Sequence, residues 1–151
     1  MSRINLAVNQ EILAKNVQKA KENHVIIPTF HQMQNPETIP TAIQEKLKGV
    51  GLWDVNPLNL FRITWKNEAK ESGGLFQAVP NYVEIPSKLS GVPCRIIAMA
   101  GKWFPTGCHK VGASFGCLAP RLVTGQFDDT WHKAVWPSTG NYCRGGAFNS
   151  K

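Results

Sequence analysis

Apolar positions recur at helical spacing in several stretches and alternate, or run together, in others. From Gln10 to Asn23, Ile12, Leu13, Val17 and Ala20 share a face with lysines between them, and Asn9 stands where a capping side chain belongs, so the pattern predicts an amphipathic helix. The apolar run Val25-Ile26-Ile27 ends at Pro28, and Phe30 to Asn35 has no clear period. Pro36 and Pro40 mark helix entrances, Ala42, Ile43 and Leu47 form a stripe, and Gly49 supplies a stop. Leu60 to Trp65 alternates, which predicts a strand, and Gly73-Gly74 breaks the polar stretch that follows. Cys94-Arg95-Ile96-Ile97-Ala98-Met99 reads as a buried strand. Phe115, Leu118, Leu122 and Val123 predict a helix over Val111 to Thr124 that packs on a sheet, with a kink or early end at Pro120. Gly125 to Thr130 reads as a turn, Lys133 to Trp136 as a short buried strand, and Asn141 to Asn149 as a helix whose Gly145, Gly146 and Ala147 permit close packing. Alternating strand, helix, strand and helix predict an α/β fold, a parallel sheet with flanking helices.

This pattern divides the chain into residues 1–78, an N-terminal helical extension with one strand, and residues 79–151, the start of the α/β region. With 151 residues, 42% of them hydrophobic, there is enough apolar material for one ordinary globular domain and no sign of disorder. No apolar run approaches membrane-spanning length, and Met1 to Asn5 lacks the apolar centre of a secretion signal, so a cytoplasmic location is expected. The net charge of +7 is spread over separated residues such as Lys15, Lys19, Lys21, Lys46 and Lys48. It implies a general attraction to anions, and nucleic acid is an unlikely partner because no dense basic run or known binding pattern is present. The alternative function the charge keeps open is a non-catalytic basic module holding an acidic partner or nucleic acid. Cys94, Cys108, Cys117 and Cys143 include no Cys-x-x-Cys pair and lie among apolar or small residues, which fits reduced, buried thiols better than a disulfide or metal set.

The chemistry concentrates in Gly101 to Ser114, which follows one predicted strand and opens one predicted helix. A lysine there, Lys110, lies beside the unpaired N–H groups of a helix entrance, a place where α/β proteins receive anionic groups. Pro105, Thr106 and Gly107 form a turn, while Cys108, Val111 and Ala113 offer no charge. A poorly solvated lysine in such a setting yields a free amine that attacks carbonyl carbon.

Pro105-Thr106-Gly107-Cys108-His109-Lys110 resembles the proline-threonine-glycine-small-histidine-lysine segment of fold-type II pyridoxal phosphate enzymes, the tryptophan synthase β, threonine synthase and cysteine synthase superfamily. Pro137-Ser138-Thr139-Gly140-Asn141-Tyr142 resembles the same group's serine/threonine-glycine-asparagine loop, in the order and spacing that group shows. The resemblance covers residues 92–151. It implies a pyridoxal 5'-phosphate-dependent lyase or transferase acting on a small amino acid by β-elimination or β/γ-replacement, with Lys110 as the catalytic, Schiff-base lysine. It further implies His109 near the cofactor phosphate, Asn141 on the ring hydroxyl oxygen, and Ser138, Thr139 and Gly140 on the substrate carboxylate. Pro137 stands where tryptophan synthase β subunits carry glutamate, so the loop looks closer to the threonine synthase and cysteine synthase form, while His109-Lys110 looks closer to tryptophan synthase. The family's phosphate cup and the group facing the ring nitrogen follow the asparagine loop. The resemblance therefore implies the N-terminal portion of an enzyme that is active with the remainder and is a homodimer when complete.

Overall fold

The computed structural model describes residues 7–151. In chain order its regular elements are α1 (Gln10–Glu22), α2 (Phe30–Gln34), α3 (Thr41–Lys48), β1 (Tyr82–Ile85), α4 (Ser87–Ser90), β2 (Ile96–Met99), α5 (Lys110–Thr124) and α6 (Asn141–Asn149), joined by short 3-10 turns. The chain forms two compact units, Met1–Ile27 with Lys110–Lys151, and Pro28–His109. The expected boundary at residue 78 lies inside the second of these. The sequence reading of Met1 to Asn5 falls outside the described residues. No helix among the described residues is long and apolar enough to cross a membrane.

In the first unit, Asn9 caps α1 by accepting the Ile12 N–H at 3.2 Å, and Glu11 at the start with Lys19 and Lys21 at the end complement the helix dipole. Asn16 Nδ2 donates to Leu122 O at 2.9 Å, tying α1 to the end of α5. That end lies past Pro120: α5 continues to Thr124, so the proline does not stop it. Arg121 Nη1 donates to Cys117 O and Thr124 Oγ1 to Pro120 O, covering carbonyls around the missing proline N–H. The expected strand Lys133 to Trp136 forms no ladder. Its alternation is real, with Ala134 and Trp136 half-buried and Lys133 and Val135 exposed, but it has no partner strand among the described residues, and Trp136 packs instead on Gly146 and donates to Ser150 Oγ at 3.0 Å.

The second unit centres on Ile39, Leu47 and Phe61, with Ile43, Leu58, Leu75 and Phe76 packed around them. The expected strand Leu60 to Trp65 is instead, over Pro57–Arg62, a 3-10 helix. Asn56 accepts the Leu58 N–H at 2.9 Å and Pro57 presets the first turn, so the local start signal is helical. The alternation misleads because Leu60, Phe61, Arg62, Ile63 and Thr64 are all buried, leaving no exposed face. Arg62, 4% exposed, donates to Val50 O, Asn59 Oδ1, Leu47 O and Gly74 O at 2.6–3.0 Å. Burial lowers its pKa and Asp54 opposes that shift; the guanidinium stays charged and binds the surrounding loops together.

The one sheet among the described residues is the antiparallel pair β1–β2, with Tyr82 opposite Met99 and Ile85 opposite Ile96. No parallel pair is formed among them. A short connection through α4 returns the chain beside β1, and such a link favours antiparallel pairing, whereas a parallel pair needs a longer crossover.

Candidate functional site

Between β2 and α5 the chain folds as a strained turn. Thr106 lies at φ 64°, ψ 8°, a left-handed conformation that costs a β-branched residue about 1–3 kcal/mol. Its hydroxyl is buried without a partner, and its N–H donates to Leu52 O at 3.3 Å. Gly107 follows at φ 72°, where an added Cβ would stand 3.1 Å from the Trp53 ring, so both conformation and space call for glycine. His109 is half-buried, stacked on Trp65 at 5.3 Å between ring centroids and edge-on to Phe104. Its Nδ1 lies 3.7 Å from Cys108 Sγ.

Lys110 is the first residue of α5 and is exposed, which corrects the expectation of a poorly solvated lysine. Adjacent helical positions face different directions: Val111 turns fully inward, and Lys110 accordingly turns to solvent. Ser138, Thr139, Gly140 and Asn141 are exposed as well. Ser138 Oγ accepts the Gly140 N–H at 3.2 Å, and Asn141 Oδ1 accepts from Arg144 Nη1 at 3.3 Å. No side chain caps α6, so the N–H groups of its first turn are open to an acceptor.

Lys110 and the 138–141 loop belong to one unit, in which α6 packs on the first turn of α5. A Cβ on Gly145 would stand 2.7 Å from Val111 Cα and N and 2.8 Å from Lys110 C, so α6 meets the first turn of α5 at a position where only glycine fits. Asn149 Nδ2 strengthens the crossing by donating to Val111 O at 2.9 Å and Ser114 Oγ at 2.7 Å. Asn141 precedes Gly145 by one helical turn, roughly 6 Å along the axis. His109 belongs to the other unit.

The exposed Lys110 amine could reach an aldehyde and the uncapped α6 entrance could receive an anion, but the chain by itself gives Lys110 no dry setting. Among the described residues no three His, Cys, Asp or Glu side chains converge as a metal site. The cysteines are free, and Cys94 is exposed where a buried thiol was expected.

Three features lay outside the sequence reading. The Thr106 strain was hidden because proline-threonine-glycine signals a turn without its handedness. The Arg62 network had a signal in Asn56-Pro57, a 3-10 start that places Arg62 inside. A cavity lined by Pro36, Glu37, Gln44, Lys66, Phe76, Gln77 and Ala78 unites residues far apart in sequence and had none. Comparison of the chain with protein-family models, with curated proteins and with solved structures finds no match.

Proposed function

We propose that this chain is the N-terminal portion of a fold-type II pyridoxal phosphate enzyme that carries out β-elimination or β/γ-replacement on a small amino acid. The α/β fold with a parallel sheet, the cytoplasmic location and the homodimer belong to the same proposal. The observation that carries it is the Gly145 crossing, which sets the Lys110 turn of α5 against the helix that the 138–141 loop opens.

When bound, the cofactor supplies an electron sink for charge developing at the substrate Cα. Lys110 Nζ would be the group that holds the cofactor through its aldehyde, and its free amine would accept and return the substrate Cα proton. Asn141 Nδ2 would donate to the ring hydroxyl oxygen while its Oδ1 keeps the contact from Arg144 Nη1 at 3.3 Å. The Ser138 and Thr139 hydroxyls and the first-turn N–H groups of α6 hold the substrate carboxylate. By the resemblance, His109 would serve the cofactor phosphate. An exposed Lys110 fits this reading if cofactor and remainder exclude water around it, since a free amine needs a drier setting than the chain alone gives.

The test compares the complete, cofactor-loaded enzyme with its Lys110→Ala variant. Absorption near the edge of the visible range is expected in the parent and lost in the variant. Persistence of the band in the variant would remove Lys110 from the chemistry.

A further inference from the structure

The cavity in the second unit has a volume of about 480 Å³, within the range of small-molecule sites. Its charged groups are one ammonium and one carboxylate. Lys66 Nζ lies 3.5 Å from Glu37 Oε2, well beyond the roughly 2.7–2.9 Å of a tight charge-assisted bond. The Lys66 side chain is only 22% exposed and that of Glu37 63%, so the lysine is the more buried of the two charges. Each keeps hydrogen-bonding capacity that this loose pair leaves unspent.

Two carboxamides complete the polar lining. Gln44 Nε2 donates to Ile39 O at 2.8 Å and Gln77 Nε2 to Asn81 Oδ1 at 2.9 Å. One N–H of each amide is thereby engaged, and a second N–H and the carbonyl oxygen of each have no hydrogen bond among the described residues. Pro36, Phe76 and Ala78 supply apolar wall. The cavity thus offers one cation, one anion, amide donors and acceptors, and apolar wall.

We infer that this cavity binds a free α-amino acid with an apolar side chain, at residues other than those of the Lys110 site. The ligand's carboxylate takes Lys66, its ammonium takes Glu37 and the Gln44 or Gln77 carbonyl, and its side chain lies on Phe76 and Pro36. A lining of net zero charge favours a dipolar ligand over a phosphate or a simple amine, either of which would leave one protein charge unanswered. The two protein charges are neighbours, so the ligand's charges must be neighbours too, which excludes amino acids with the ammonium at the far end of the chain. The inference does not rest on the proposed enzyme chemistry.

The test is calorimetric titration of the 151-residue chain with L-leucine, 4-methylpentanoate and isopentylamine, the last two lacking one charge each. Saturable binding of leucine alone is expected. Lys66→Met should weaken it about tenfold or more, since that charge is the more buried of the two, and Glu37→Gln should weaken it less. Glu37 is exposed enough for its amide to leave the fold intact, and Lys110→Ala should bind leucine as the parent does. Absence of leucine saturation, unchanged affinity in both cavity variants, or loss of binding in Lys110→Ala would overturn the inference.

Discussion

Gly145 and Thr106 show two ways in which one residue fixes the proposed site. Gly145→Ala would press a methyl group onto the Val111 backbone, which has no flexible end to move aside. We expect a loss of about 1–3 kcal/mol by thermal or chemical denaturation, with Gly116→Ala, where a Cβ meets nothing within 4 Å, neutral or slightly stabilising. Thr106→Gly removes left-handed strain and a buried, unpartnered hydroxyl, and should gain about 1 kcal/mol in the same measurement. Equal or lower stability would show that the Thr106 side chain has a compensating contact. At this scale the sequence was informative about residue type: the lysine, the small-residue helix and the turn were all legible. Solvation of Lys110 was not, because the direction of a helix's first residue depends on which neighbour the core takes, and here it takes Val111.

Among the elements, α1 and α3 were readable because their ends carry local signals, Asn9 and Gly49, and α6 because Gly145, Gly146 and Ala147 suit a closely packed helix. Leu60 to Trp65 was misread because alternation specifies a strand only when one face stays wet, and Leu60 to Thr64 are all buried. The β1–β2 ribbon presents the opposite case. Tyr82, Val83, Ile97 and Met99 are exposed, and a two-stranded ribbon has little stability of its own. Arg95 clasps it by donating from Nε and Nη2 to the two Glu84 carboxylate oxygens at 2.9 and 2.8 Å. The Arg95 hydrogen bonds hold the Glu84 carboxyl below the usual carboxylate range. A folded pKa below the unfolded one gives stability that is present above the unfolded value and lost as pH falls through the folded one. Amide exchange at 82–85 and 96–99, corrected for intrinsic rates, should therefore speed up on acidification through the carboxylate range. In Arg95→Ala that pH dependence should vanish; its survival there would assign the effect to another carboxylate.

For the molecule as a whole, the split between His109 and Lys110 passes through the motif that sequence resemblance treats as one piece. Linear spacing showed that the two residues are neighbours in the chain, but not that His109 is held by Trp65 and Phe104 while Lys110 opens a helix packed on α6. Long-range partnerships of this kind, like the Lys66–Glu37 cavity, come from tertiary packing and leave no local mark. The central claim is that the amine of Lys110 bonds the cofactor's aldehyde carbon. Borohydride reduction of the complete, cofactor-loaded enzyme, followed by peptide mass mapping, tests it most directly. The account predicts one pyridoxyl adduct, on Lys110; an adduct on Lys102 or Lys133 instead, or none on any lysine of this chain, would contradict it.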